Sequence, residues 1–171
     1  MVSLSNHDRP GVDGPRSSFD KLTRIGGAGR CLVFFAVVFL VYMPALKNGF
    51  VIDDMKSVFM NQDLDIRPLT WMFNRDYFEY SRELSYRPVA TFFHILDRKW
   101  GAFGGHLLDI ILHAMVGMSL YVAGKSIFTE RAAFWGTLIF LVHPGYSEAV
   151  YVVTYREDLL CALFLLWTLL A

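Results

Sequence analysis

Four apolar runs constrain this chain more than anything else in it: Cys31–Leu46, Gly105–Gly124, Ala132–His143 and Asp158–Ala171. A helix that crosses a bilayer needs about 20 largely apolar residues. The run "GHLLDIILHAMVGMSLYVAG" meets that length outright. The first, "CLVFFAVVFLVYMPAL", is slightly short and gains length from Gly26–Gly29 or Asn48–Val51. The fourth ends inside apolar sequence with no polar flank, so the sequence reads as the front part of a longer protein. Over all 171 residues the composition is 54% hydrophobic and 16% aromatic, too apolar for an ordinary soluble domain. The expected fold class is an all-α integral membrane protein with about four transmembrane helices.

The flanks set an expected topology. Residues 1–25 are polar, rich in Gly, Pro and Ser, and lack a periodic apolar face, which predicts a disordered tail. Arg9, Arg16, Lys21, Arg24 and Arg30 precede the first run, and Pro44 and Lys47 follow its core. That start is long for a cleaved signal peptide, so the run reads as a signal anchor. The positive-inside rule then puts the N-terminus in the cytoplasm. The expected spans are about 31–50, 105–124, 132–152 and 158–171, with residues 26–171 forming one membrane region. The first loop, 51–104, falls outside the cytoplasm. It holds two short amphipathic candidates, "LTWMFNRDYF" and "VATFFHILDRKWG", whose mixed aromatics and charges suit helices at a membrane surface. Segment 143–158 falls on the same outer side.

Several function classes lose support. Sixteen basic and sixteen acidic residues balance, so no global field argues for nucleic acid. Cys31 and Cys161 lie inside apolar runs and read as small buried side chains, not a disulfide or metal pair. No Gly-rich phosphate loop, Cys-x-x-Cys pair or Gly-x-Ser-x-Gly elbow occurs.

The polar residues near the outer mouth carry the chemistry. In "FVIDDMKSVFMNQDL", Asp53 and Asp54 are adjacent acids just past the first span. Adjacent side chains point about 100° apart in a helix, so only one is expected to face a site while the other binds backbone or a cation. The facing one would serve as general base or metal ligand, and the plain alternative is a solvated loop start. "HLLDIILH" puts His106, Asp109 and His113 on one helix face. Polar groups within a span turn to a protein interior or a wet cavity. An interhelical hydrogen-bonding face, a ligand-lining face and a metal site all remain open there. "SYRPVATFF" predicts a helix beginning at Pro88. Arg87 stands at its start, where a cation gains nothing from the helix dipole, so an acid or phosphate partner is expected. The alternative is an ion pair with Glu83 or Asp97. In "LVHPGYSEAVYVVTYREDLL", Ser147 is placed to cap a helix from Glu148. If that helix continued, Glu148 and Arg156 would share a stripe, and a buried ion pair is the plain reading of that.

Taken in order, "FVIDD", Asn61, "LTWMFNRDYF", "SYRPV", "GGHLLDIILHA" and "LVHPGYSEAVYVVTYREDLL" resemble one family. It is that of the transmembrane and tetratricopeptide-repeat-containing O-mannosyltransferases and their bacterial relatives, within the GT-C glycosyltransferases. The resemblance covers about residues 31 to 171. It implies the N-terminal part of a GT-C fold whose site lies at the outer or lumenal mouth. It implies transfer of a sugar, mannose in eukaryotic members, from a polyprenyl (dolichyl) phosphate donor to protein hydroxyls. Asp53 and Asp54 match the family's acidic pair and take the catalytic role. Arg87, Arg156 and His143 are expected to bind the donor phosphate. Glu148, Asp158, His106, Asp109 and His113 are expected as supporting polar groups. A divalent cation is compatible with the acidic pair. The implied setting is the endoplasmic reticulum membrane in a eukaryote or the plasma membrane in a bacterium. The implied partners are membrane lipid, the lipid-phosphate sugar and a protein acceptor, with no nucleic acid. Three positions depart from the family pattern: Asp109 where Asn is common, Tyr155 where a small residue is common, and Glu157 within "R-E-D". The later spans and repeats lie outside this sequence, so the chain alone is expected to be inactive. The competing readings are a non-catalytic membrane protein that binds partners or lipid, and a piece of a channel or transporter.

Overall fold

The structure is a computed structural model that describes residues 26–51, 53–66, 70, 73 and 86–171. The tail 1–25 and most of "LTWMFNRDYF" lie outside the described residues, and the readings made for them stand as expectations. Among the described residues every regular element is helical. Six α-helices follow in order: α1 (Gly27–Tyr42), α2 (Asp63–Ile66), α3 (Pro88–Ile127), α4 (Glu130–Val142), α5 (Glu148–Tyr151) and α6 (Arg156–Leu170).

Helix α1 ends where Pro44 removes a backbone donor, and the chain tightens into a 3-10 turn, Met43–Lys47. Helix α3 begins at Pro88, with Arg87 at its N-cap, as the sequence predicts. It is 40 residues long and bends at Gly101, whose φ of 71° and ψ of 179° only glycine adopts without strain. The surface helix expected around 89–101 and the span expected at 105–124 are therefore two arms of one kinked helix. Helix α4 starts after a two-residue turn, where the Thr129 hydroxyl oxygen accepts from the Ala132 N–H at 3.3 Å.

Two of these segments are long and apolar enough to cross a membrane: Gly27–Lys47 and Pro88–Ile127. The expectation of four spans is met only in part. Helices α4 and α6 have 13 and 15 residues, which is about 20 and 22 Å at 1.5 Å per residue, against about 30 Å of hydrocarbon. The predicted run 132–152 is not one helix, because α4 ends at Val142 and short turns follow.

Helix α3 is the centre of the bundle. Phe34, Val38 and Tyr42 recur every four residues along α1 and pack on Ile110, Ala114 and Tyr121 of α3, with Phe134 and Leu141 of α4 closing the cluster. The Phe34 ring meets those of Tyr121 and Phe134 at 5.4 Å each. On the other side, Leu112 and Val116 of α3 meet Leu159, Leu160 and Leu163 of α6. Close packing rather than water exclusion holds helices together in lipid. Here Leu141 seats against Gly117 so tightly that an added Cβ would lie 2.4 Å from its methyl carbon. One end of the bundle is tied by Arg30, which donates to Glu130 and, at 2.6 Å, to the Tyr121 hydroxyl. The other end carries the polar residues considered next.

Candidate active site

The two acids of "IDD" have separate surroundings. Asp54 is wholly buried. Its Oδ1 accepts from the Thr154 N–H at 2.7 Å and the Thr154 hydroxyl at 2.5 Å. Its Oδ2 accepts from the N–H groups of Val153 at 3.2 Å and Val51 at 3.3 Å. A carboxylate with four donors is a structural latch between the chain after α1 and the chain before α6. Asp53 is only half-buried, and the Tyr155 hydroxyl donates to its Oδ2 at 3.4 Å. The Asp53 carboxylate in turn pushes the Tyr155 phenol above its ordinary pKa, with burial adding to the shift. Asp54 thus binds mainly backbone donors, while Asp53 keeps one long side-chain contact.

The same latch explains a break that the sequence does not reveal. The helix from Glu148 stops at Tyr151, and Val152 is extended, with φ −120° and ψ 110°. Val152 is β-branched and stiff, which favours extended backbone, and Val153–Tyr155 then turn as a 3-10 helix. Asp54 then takes the N–H groups of Val153 and Thr154, and the helix restarts at Arg156. Glu148 and Arg156 consequently do not share a helical stripe. The Ser147 hydroxyl donates to the Pro144 carbonyl at 2.7 Å instead of capping α5.

Beneath the latch lies an ion cluster. Arg156 is 2% exposed. Its Nε donates to Asp109, its Nη1 to Asp97 at 2.7 Å, and its Nη2 to the Gly105 carbonyl at 3.0 Å. The Phe93 ring covers the guanidinium at 5.5 Å. His94 is buried beside Asp97, 3.5 Å from its Oδ2. Gly105 lets the loop approach, since a Cβ there would lie 3.0 Å from the Val153 side chain. The family resemblance implies that Arg156 meets a phosphate; here each of its three nitrogens donates to protein.

His106, Asp109 and His113 do share one buried face of α3. Each reaches a different neighbour: Nε2 of His106 the Gly49 carbonyl at 3.3 Å, Asp109 the Arg156 side chain, and Nε2 of His113 the Leu141 carbonyl at 3.1 Å. These contacts fit the hydrogen-bonding alternative, and His113 also lines a cleft of about 630 Å³. Among the described residues no group of three or more His, Cys, Asp or Glu is arranged to hold a metal ion.

Among the depressions at this end, two carry site residues. A groove of about 420 Å³ has Arg87 at its head and Pro88, Val89, Leu160, Cys161 and Phe164 along it. The Arg87 side chain is 38% exposed and donates to Glu157; Glu83, one of the two acids expected for it, lies outside the described residues. The cleft of about 630 Å³ is walled by Phe140, Tyr146, Glu148 and Tyr155. Glu157 and Asp158 line both. His143 stands apart at the end of α4, exposed, with Nδ1 accepting from the Gly145 N–H at 3.1 Å.

Asp97 is the residue that the sequence reading missed as a site member. A signal for it exists: "HILD" at 94–97 and "HLLD" at 106–109 repeat His-x-x-Asp twelve residues apart. Both repeated acids meet the one guanidinium.

Comparison with known proteins points one way. The chain is 33% identical over 170 residues to Protein O-mannosyl-transferase F38B6.6 of Caenorhabditis elegans, a match covering 92% of this chain and 24% of that protein. It is 36% identical over 152 residues to human Protein O-mannosyl-transferase TMTC1, covering 81% of this chain and 17% of that one. For human Protein O-mannosyl-transferase TMTC3 the identity is 34% over 139 residues, covering 76% and 15%. The chain spans about a quarter or less of the length of these curated relatives. No family model and no solved structure matches it.

Proposed function

Because the chain belongs by sequence to the TMTC-type protein O-mannosyl-transferases, we propose that it forms part of the active-site mouth of such an enzyme. The observation that carries this is the division of labour at one end of the bundle. A half-exposed carboxylate, Asp53, stands beside a loop whose other flank carries an apolar groove headed by Arg87.

The groove suits a polyprenyl-phosphate mannose: its chain lies along Leu160 and Phe164, and its phosphate meets Arg87. Arg suits that task through its fixed charge and planar fork. The neighbouring cleft admits a protein hydroxyl past Tyr155. Asp53 takes the hydroxyl proton while that oxygen bonds to the anomeric carbon. The bond from that carbon to the phosphate oxygen breaks, and the lipid phosphate departs with both electrons, its charge stabilised by Arg87. Attack opposite to departure inverts the sugar. Asp54 holds the frame and leaves the proton transfer to its neighbour.

In this reading the polar end faces the lumen of the endoplasmic reticulum in a eukaryote, the N-terminus is cytoplasmic, and α4 and α6 complete four membrane segments. The dolichyl donor and the acceptor belong to the whole protein that carries this chain. The test is mannose transfer from dolichyl phosphate mannose by that whole protein. Asp53→Asn is expected to lower turnover by about 10²–10⁴-fold, the usual worth of a general base, with insertion unchanged. Turnover near wild type would refute the assignment.

A further inference from the structure

We infer that Arg156 is a positioning residue that sets the spacing between Arg87 and Asp53. This rests on the roles just proposed for those two.

Three observations carry it. First, the guanidinium is closed to ligand: its Nε, Nη1 and Nη2 are all bonded to protein, it is 2% exposed, and Phe93 covers its face. A phosphate would have to displace two carboxylates to reach it. Second, its two acids stand on opposite sides of the kink in α3, Asp97 before Gly101 and Asp109 after it. Gly101 permits the bend, and the Arg156 fork is bonded to an acid on each of the two arms. Third, its chain neighbours are the contacts of the two working groups. Tyr155 donates to Asp53, and Glu157 accepts from Arg87. Arg87 also heads the first arm of the kinked helix. One side chain therefore links the two arms of the kinked helix to the segment 155–157 that touches both working groups.

The test is Arg156→Lys in the whole protein, which keeps the charge and loses the planar fork. A displacement of about 1 Å of a reacting group costs about 10²-fold in rate. Turnover by the folded, inserted variant is expected to fall by about that factor, with the KM values for donor and acceptor little changed. A role limited to folding would lower the amount of inserted protein and leave the turnover of that fraction intact, which would overturn the inference. A selective rise in donor KM would also overturn it, since Arg156 would then be touching the donor. Where Arg156→Lys fails to insert, Asp97→Asn decides, as it frees one arm and keeps the Asp109 contact; full turnover there refutes the inference. Asp53→Asn, assayed in parallel, separates the two claims. An active Asp53→Asn sinks the proposed chemistry, whereas an inactive one beside a fully active Arg156→Lys sinks only the positioning role.

Discussion

Asp54→Asn is the substitution that best tests the split between the paired acids. The new side chain has the same shape but only one acceptor oxygen. Asp54 accepts through both oxygens: Thr154 N–H and hydroxyl on Oδ1, Val153 and Val51 N–H on Oδ2. An amide keeps one set and turns its NH2 against the other. If the oxygen stays with Thr154, two N–H groups lose their acceptor, at about 1–3 kcal/mol for each buried donor. The Val153 N–H is buried and the Val51 N–H only partly so, which puts the total at about 3 kcal/mol, and at 1.4 kcal/mol per tenfold it becomes about 100-fold in a local opening equilibrium. Hydrogen exchange of the purified whole protein in detergent reads this directly. The peptide covering 150–156 is expected to exchange about 100-fold faster in Asp54→Asn. In Asp53→Asn, whose acid holds one long contact at 3.4 Å, protection there is expected to stay at the wild-type level. Transfer is expected to fall in both variants, for different reasons. Equal protection in the two would show that Asp54 is not a latch, and the assignment of Asp53 as the working acid would lose its structural basis.

Two further outcomes are expected. Gly101→Ala places a side chain at φ 71°, ψ 179°, at a strain of about 1–3 kcal/mol; thermal inactivation of the solubilised protein should begin at lower temperature, and an unchanged profile would mean the kink is not held in solution. For topology, single cysteines replace Tyr86 and Ser126, both exposed, in a background where Cys31 and Cys161 are alanine. An impermeant maleimide on intact microsomes should modify position 126 and reach position 86 only after permeabilisation, and the reverse pattern would invert the proposed orientation.

Much of the bundle was legible because apolar length and caps are local signals. The two long runs became the two segments able to cross a membrane, Pro88 opened its helix, and His106, Asp109 and His113 lay on one buried face. What escaped depends on partners far along the chain. The break at Val152 follows from Asp54, a hundred residues upstream of Thr154, although the β-branched Val152 was a hint. The joining of a surface helix to a span follows from glycine geometry at residue 101, which hydropathy does not register. Arg30 looked like one more basic residue of the tail, yet it is buried against Tyr121 and Glu130.

Arg156, which the resemblance sets beside a phosphate, is held by two acids of the protein. In an apolar setting a lone arginine invites a phosphate, because an isolated buried charge is costly. The same cost is met equally well by acids from the protein, and two lay in plain view as "HILD" and "HLLD". Each acid is itself expensive in an apolar helix unless paired. Two unpaired acids on α3 and one unpaired cation at the start of α6 thus demand one another before any ligand is invoked. Arg87 is the contrasting case. It sits at a helix start, 38% exposed, and heads a groove open to the surface. Its bond to Glu157 is accessible to solvent, where an ion pair is weak, so an incoming phosphate can compete for it. In the proposed reading, burial therefore favours Arg87 over Arg156 as the arginine that meets the donor, with Arg156 holding the frame around it.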